Sequence, residues 1–272
     1  MNLVRIISII IVIIWGIFSI SPLYIVVISG FKELNDVFTV PPKLIPFIDF
    51  QPSLEAYYKV FYTEIGQTFI TSLVIAIAAT VITLPVVIFS AYGFSRFPRA
   101  AMNDPRSFFI LLTLRMTPPF AVVLPILLYW SSLGLIDTYP ALIWTYTVFS
   151  IPLGVWILKG FIDSIPGRLE DAARVDGYNF ASTFIKFVLP LMASGLAATI
   201  ALVWLFLWNE FLFALKIAGG NVVTYTVKLP QLRHAERIMW NVYGAMGTIS
   251  IIPPMIIFLA FRRYITKLYL AR

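Results

Sequence analysis

Long apolar runs alternate with short polar segments along this chain. Residues 73–79, for example, are apolar at every position and lack the period of two that a strand of a membrane barrel would show. A helix needs about 20 mostly apolar residues to cross about 30 Å of hydrocarbon. The pattern therefore predicts an all-α polytopic membrane protein with six transmembrane helices. We place them at residues 6–29, 68–94, 108–130, 139–158, 187–215 and 242–261.

The composition supports lipid as the solvent of this chain. Of its 272 residues, 60% are hydrophobic and 12% are charged, whereas a soluble domain has about 45–50% apolar and about 25% charged residues. An ordinary soluble enzyme is thereby excluded. The absence of cysteine and the single histidine, His234, argue against a disulfide framework, a thiolate nucleophile and a metal site. We expect His234 to be a solvated loop side chain.

The distribution of basic residues predicts the orientation in the membrane. One set of inter-span segments holds 12 Lys and Arg in 57 residues, and the other holds 7 in 72 residues. The denser set is expected in the cytoplasm, which places both termini there. The net charge of +7 thus reflects topology rather than nucleic-acid binding. The denser set comprises residues 1–5, 95–107, 159–186 and 262–272; the sparser set comprises 30–67, 131–138 and 216–241.

Three domains are expected along the chain. Residues 1–65 combine the first helix with a loop rich in proline and aromatic residues, which suits an ordered external cap on the membrane surface. We interpret the first helix as retained, because its apolar run is too long for a secretion signal and no clear cleavage site follows. Residues 66–262 form the core, and residues 263–272 form a cytoplasmic tail.

The segment 164–186, between the fourth and fifth spans, has the sequence features of a short amphipathic helix. Pro166 is suited to a first helical turn, and Gly177 is suited to a helix end. Small and apolar residues form its centre and charged residues flank them. From the residues alone, two interpretations remain open, namely a helix lying on lipid and a docking element for a cytoplasmic partner.

The stretch Leu169–Gly177, which reads LEDAARVDG, and the Leu189-Pro190 pair that follows resemble the EAA loop of ABC-importer permeases. That pattern has Glu-Ala-Ala, two variable residues, Asp-Gly and a later Leu-Pro. The glutamate of the family falls on Asp171, with Glu170 just before it. Which of the two acids reaches a partner is left open at this point.

Five further stretches resemble the carbohydrate-uptake permeases of the maltose, trehalose and glycerol-phosphate type. The resemblance spans about residues 66–262. Its sequences are AYGFSRF at 91–97, MTPP at 116–119 with GLIDT at 134–138, GFIDSIP at 160–166, and WNEF at 208–211.

The resemblance implies a non-catalytic subunit that forms half of a translocation path. No Gly-Lys dipeptide of a phosphate-binding loop is present, so ATP with Mg²⁺ would be bound by partner subunits. The expected partners are a second, non-identical permease, a cytoplasmic ATP-binding cassette ATPase dimer, an external or periplasmic solute-binding protein, a sugar and the lipid of the cell membrane. The residues expected to couple to the ATPase are Glu170, Asp171, Ala172, Ala173, Asp176 and Gly177.

Two charged residues, Arg115 and Glu210, fall inside predicted spans. Each would cost about 2.5–3.5 kcal/mol if it faced lipid, so both must face protein or water. With Asn209, they are candidates for a polar translocation path. They are equally candidates for a polar lock between helices or subunits, which could pair Glu210 with Arg115.

Two other classes of transport protein remain as alternatives. An ABC permease for a non-sugar solute would share the EAA-like loop. A stand-alone secondary carrier would have only Glu210 as an intramembrane acid for ion coupling and would leave the segment 164–186 without a role. An intramembrane enzyme is disfavoured because the spans carry no paired carboxylates and no Ser/Lys or His constellation.

Overall fold

The computed structural model describes residues 3–97, 105–232 and 238–270. These parts of the chain are helices and connecting loops, without a β-strand. A π-helical segment, Phe184–Val188, continues α9. The helices are α1 Leu3–Gly30, α2 Leu34–Val37, α3 Glu55–Tyr62, α4 Glu64–Arg96, α5 Pro105–Met116, α6 Pro119–Ser132, α7 Tyr139–Asp163, α8 Arg168–Val175, α9 Phe180–Thr183, α10 Leu189–Leu191, α11 Ala193–Trp208, α12 Leu212–Ile217, α13 Tyr225–Gln231 and α14 Trp240–Leu270. His234 lies outside the described residues.

Four helices are long and apolar enough to cross a membrane unaided. They are α1, α4, α7 and α14, with mean hydropathies between 1.7 and 2.6 over their most apolar windows. Their positions agree with the first, second, fourth and sixth predicted spans. The all-helical, multi-pass prediction is therefore confirmed for these elements.

The third and fifth predicted spans are not single helices. A bend of 86° separates α5 from α6, and a bend of 71° separates the segment Phe180–Leu191 from α11. Pro118 and Pro119 explain the first break, because proline has no N–H to donate and disfavours helical geometry in the residue before it. The described parts of the chain thus contain four continuous candidate spans, or up to six if each bent pair crosses once.

The described residues fall into two compact units. The first contains the chain up to Phe69 together with Val227–Pro254, and the second contains Ile70–Thr226 together with the residues from Met255 onward. The sequence pattern groups residues 227–254 with the core. The division of the chain into domains at residues 65 and 262 remains a prediction.

Close backbone contact and loop hydrogen bonds organise the first unit. A Cβ added at Gly30 would lie 2.8 Å from the backbone nitrogen of Ala245, so α1 and α14 meet where only glycine fits. In the loop after α2, the Asp49 carboxylate accepts hydrogen bonds from the backbone N–H groups of Ile45 at 2.8 Å and Leu44 at 2.9 Å. These donors lower the pKa of Asp49. These hydrogen bonds hold the backbone of residues 44–49 in a defined loop.

The core of the second unit is the packing of α4, α7 and α11. The Thr83 and Ser150 hydroxyls share a buried hydrogen bond of 2.9 Å between α4 and α7. Gly154 admits the side chains of Val87 and Val203, which a Cβ there would meet at 2.7 Å and 3.4 Å. Small residues and polar cross-links of this kind are typical of helix packing in membranes. The packing fixes the ends of α4 and α7, where α8 is attached.

Candidate functional site

The predicted short helix in segment 164–186 is α8, and local interactions explain its limits. Its first turn contains Glu170 and Asp171, and acidic residues are favourable at a helix N-terminus. At its other end Gly177 has φ +87°, a conformation that glycine adopts without strain. The Gly177 N–H donates to Arg174 O and the Tyr178 N–H donates to Ala173 O, both at 3.0 Å. This is a Schellman ending.

The two adjacent acids of α8 lie in opposite environments. Glu170 is buried with 3% of its surface exposed, and Ala173, three residues later, is equally buried. The Asp171 side chain is 71% exposed and forms an ion pair of 3.1 Å with Arg174 on the same helix. Because residues three apart share a helix face, Glu170 and Ala173 form the inner face of α8.

The outer face of α8 combines charge with small and apolar groups. Ala172 is exposed beside Asp171, and Val175 has 88% of its surface exposed. Asp176 and Gly177 lie at the exposed end of the helix. Of the residues predicted to couple to an ATPase, Asp171, Ala172, Asp176 and Gly177 are thus accessible to a partner, whereas Glu170 and Ala173 are not.

Glu170 is bound by the last two turns of α4. Arg96 Nε donates to Glu170 Oε1 at 2.6 Å, and the Tyr92 hydroxyl donates to Oε2. Arg96 Nη2 also donates to Ile165 O at 2.7 Å and to Ile162 O at 3.0 Å. One guanidinium therefore joins the end of α4, the end of α7 and the start of α8.

Aromatic rings surround the Tyr92 side of this contact. The Tyr92 ring packs edge-on against Phe97, Phe180 and Phe184, with centroids 5.1–6.0 Å apart. The Asn179 side chain caps α9 by accepting a hydrogen bond of 2.9 Å from the Ser182 N–H. The segment after α8 is thereby packed against the end of α4.

A second feature of this unit is a cavity of about 1070 Å³ between α5, α6, α7, α11 and α12. Arg115, Asn209 and Glu210 all line it. The Arg115 guanidinium lies 4.0 Å from the centre of the Phe206 ring, a cation–π contact. The three polar residues that the sequence placed inside spans thus meet at one cavity.

The suggested ion pair between Arg115 and Glu210 is not formed. The Glu210 carboxylate accepts hydrogen bonds from the N–H groups of Phe213 at 2.8 Å and Ala214 at 3.2 Å, so it caps α12. The amide of Asn209 donates to Leu205 O at 2.8 Å. The Glu210 carboxylate is therefore bound by backbone N–H groups of the adjacent helix α12 and not by the Arg115 side chain.

Sequence reasoning missed a role for Asp137, in the turn between α6 and α7. Its carboxylate accepts hydrogen bonds from the N–H groups of Gly219 at 2.8 Å, Asn221 at 2.7 Å and Val222 at 3.0 Å. Partial burial raises the pKa of this carboxyl, but the backbone donors outweigh it and hold the pKa well below its usual range. The sequence signal for this contact was an acidic residue in the tight turn before α7, together with the Gly219-Gly220 pair in the loop after α12.

Comparison with known proteins identifies the family. Residues 104–269 match the family model described as binding-protein-dependent transport system inner membrane component. The trehalose/maltose transport system permease protein MalG of Thermococcus litoralis is 31% identical over 82% of this chain and 81% of its own length. The diacetylchitobiose uptake system permease protein NgcG of Streptomyces coelicolor is 25% identical over 93% of this chain and 83% of its own.

A solved structure has the same fold. It is the crystal structure of a bacterial ABC transporter involved in the import of the acidic polysaccharide alginate, with a TM-score of 0.76 and 23% identity. The alignment covers 96% of this chain and 97% of that one. From the family model and the relatives, the chain belongs to the family of binding-protein-dependent inner-membrane permeases of ABC importers.

Proposed function

We propose that this chain is one permease subunit of an ATP-driven importer for a sugar or oligosaccharide. It forms half of the translocation path and hydrolyses no ATP itself. The observation that carries the proposal is α8, whose inner face is bound to α4 and, through Arg96, to the end of α7, while its outer face is exposed. A helix arranged in this way can be displaced by a partner protein and can transmit that displacement to the spans.

The proposed partner at α8 is a cytoplasmic ATPase pair. Asp171 and Asp176 would pair with basic groups of the ATPase, and Ala172 would allow close approach. Closure of the two ATPase subunits on ATP would displace α8, and domain movements of this type convert one access state into the other. The face that carries α8 would then be cytoplasmic, in agreement with the basic residues near it.

The proposed solute path uses the cavity of about 1070 Å³. The Arg115 guanidinium lies against the Phe206 ring in this cavity, and a guanidinium has five N–H donors that can bind hydroxyl or other acceptor oxygens of a solute. The aromatic side chains of Phe120, Phe149 and Phe206 line the same cavity. Donors beside aromatic rings are suited to a sugar, and the relatives named for trehalose/maltose and diacetylchitobiose uptake support this class.

The other partners follow from the same proposal. A second, non-identical permease would close the open side of the cavity, and an external solute-binding protein would deliver the sugar. The family description names such binding-protein dependence. A non-sugar solute is the alternative for the cargo, and solute binding to the cognate receptor would identify it.

The test compares two glycines of the α8 segment. Gly177→Asp should leave the protein in the membrane but abolish ATP-driven uptake by the reconstituted complex, because it places a side chain and a charge at a position with φ +87°. Gly167→Asp is the matched control. It adds the same charge directly before α8, where φ is −59° and ψ is −25° and a negative charge at the helix N-terminus is favourable.

Uptake by the Gly167→Asp complex should therefore remain near that of the wild type. Unchanged uptake by the Gly177→Asp complex would contradict the proposed coupling. If no ATPase co-purifies with the wild-type chain, a stand-alone carrier becomes the better explanation.

A further inference from the structure

The contact between Glu170 and Arg96 joins parts of the chain that are 74 residues apart. The side chains are 4% and 15% exposed. The Arg174–Asp171 ion pair, by contrast, lies within α8. A bond within one helix cannot transmit movement to another, whereas the Arg96–Glu170 bond can. The Asp163 carboxylate of α7 also reaches α4, because it accepts a hydrogen bond of 2.6 Å from the Ser95 hydroxyl.

Arg96 satisfies a helix end as well as a carboxylate. It is the last residue of α4, and it binds the carbonyl oxygens of Ile162, in the last turn of α7, and of Ile165, two residues beyond that helix. The C-terminal end of a helix carries partial negative charge, so a cation is favourable there. The single guanidinium therefore has acceptors on α7 and on α8 at once, in the forked geometry that arginine provides and lysine lacks.

The second carboxylate oxygen of Glu170 is also hydrogen-bonded, and this bond restricts rotation of the Glu170 side chain. Tyr92 lies four residues before Arg96, one turn earlier on the same face of α4, and its hydroxyl binds Oε2. The Tyr92 ring is itself packed against Phe180 and Phe184. Both oxygens of Glu170 are thus bound by side chains of α4, and rotation of α8 would break both bonds.

We propose that Glu170, Arg96 and Tyr92 are positioning residues that make α8 and the ends of α4 and α7 move as one body. Glu170 then acts within the chain and does not contact the ATPase, which leaves Asp171 as the acid that reaches the partner. The inference rests on the proposed function, because it assumes that α8 receives a displacement. If this contact is weakened, the ATPase should still displace α8, but the displacement should be transmitted incompletely to α4. Fewer solute molecules should then be imported per ATP hydrolysed.

The measurement is the number of solute molecules imported per ATP hydrolysed, with the complete complex in proteoliposomes. Glu170→Gln keeps the shape but removes the charge, and we expect this ratio to fall at least threefold. Tyr92→Phe removes only the hydroxyl and should lower the ratio by a smaller factor, near 1.5-fold to 2-fold on the same scale. Lys59→Met is the matched control, because it removes an ion pair of 2.7 Å with Glu55 that lies within α3, and its ratio should equal that of the wild type.

The ratio separates positioning from mere structural support. A structural role would lower the amount of assembled complex and reduce import and hydrolysis in proportion, so an unchanged ratio in both variants would overturn the inference. If Glu170→Gln does not assemble, the ratio of the Tyr92→Phe complex decides alone. A wild-type preparation without ATP-dependent import would instead refute the proposed function, and the two failures are therefore distinguishable.

Discussion

Two carboxylates on either side of α7 are bound in contrasting ways. Asp137, just before α7, accepts hydrogen bonds from backbone N–H groups of the 219–222 loop. Glu170, beyond the end of α7, is bound by the side chains of Arg96 and Tyr92. The first arrangement fixes a loop through the shape of its backbone. The second fixes a helix through two specific side chains.

This difference determines which groups are left unpaired when each contact is lost. Loss of Arg96 would strand a buried negative charge, whereas loss of Asp137 would strand neutral N–H groups of a loop in which Gly219 and Asn221 are exposed and Val222 is buried. A buried unpaired charge is the costlier defect, because water cannot reach it. The four predictions below test this contrast and run from the largest expected effect to the smallest.

Arg96→Met should produce the largest loss of stability. Removal of one member of a buried pair costs about 3–5 kcal/mol, while replacement of both members by apolar residues is often neutral. We therefore expect the double variant Arg96→Met, Glu170→Met to recover most of the loss. Thermal unfolding of the purified protein in detergent measures both. A double variant as unstable as the single variant would show that packing, not charge, accounts for the effect.

Asp137→Ala should have an intermediate effect that is confined to the 219–222 loop. Hydrogen bonds to a charged group are each worth about 1.5–3 kcal/mol, although solvent replaces part of this at a half-exposed site. We expect faster amide hydrogen exchange at Gly219, Asn221 and Val222, with no change in α8. Asp137→Asn keeps one acceptor oxygen and should give a smaller increase. Uniformly faster exchange throughout the unit would contradict a local role.

The Asp137 contact should also depend on pH in a defined direction. Its pKa is lowered in the folded protein, so its contribution is fully present above the unfolded value of about 3.9. It is lost as pH falls through the lower folded pKa. Exchange protection of the loop should therefore be constant from pH 7 to pH 5 and should decline below about pH 4. In Asp137→Asn this acidic decline should be absent, and an equal decline in both proteins would assign it to another group.

Asp171→Asn should have the smallest effect on stability. The Asp171–Arg174 pair is exposed, and exposed pairs contribute about 0–1 kcal/mol. ATP-driven import should nevertheless fall, because this acid is on the proposed docking face. Glu55→Gln breaks a comparable exposed pair with Lys59 in α3 and should alter neither quantity. Normal import by Asp171→Asn would remove this residue from the docking face.

The sequence predicts most of the membrane-spanning elements but not their continuity. Apolar runs locate helices well, because lipid leaves no other way to satisfy the backbone. Proline content does not locate the breaks. Pro85 and Pro152 lie inside the continuous helices α4 and α7, whereas Pro118 and Pro119 accompany a bend of 86°. Whether a proline bends a helix depends on whether its surroundings satisfy the freed carbonyl, and the local sequence does not specify those surroundings.

The contacts of α8 and of the cavity are likewise only partly predictable from the sequence. Helix-ending chemistry at Gly177 is local, and the sequence predicts it correctly. The choice between Glu170 and Asp171 is not local, because it depends on where Arg96 ends α4. The absence of an Arg115–Glu210 pair is also a packing result, since Glu210 caps the helix that follows it. Neighbouring residues therefore reveal local structure, while the pairing of charges requires the fold.

The contact at Asp137 has one further consequence, which concerns how the protein can diverge. Every amino acid except proline supplies the amide that this carboxylate binds, so residues 219, 221 and 222 can be exchanged without loss of the anchor, provided that each can adopt the local backbone conformation. The tip of this loop could therefore acquire new side chains over evolutionary time while it keeps its shape. A single invariant acid would then support many different loop surfaces.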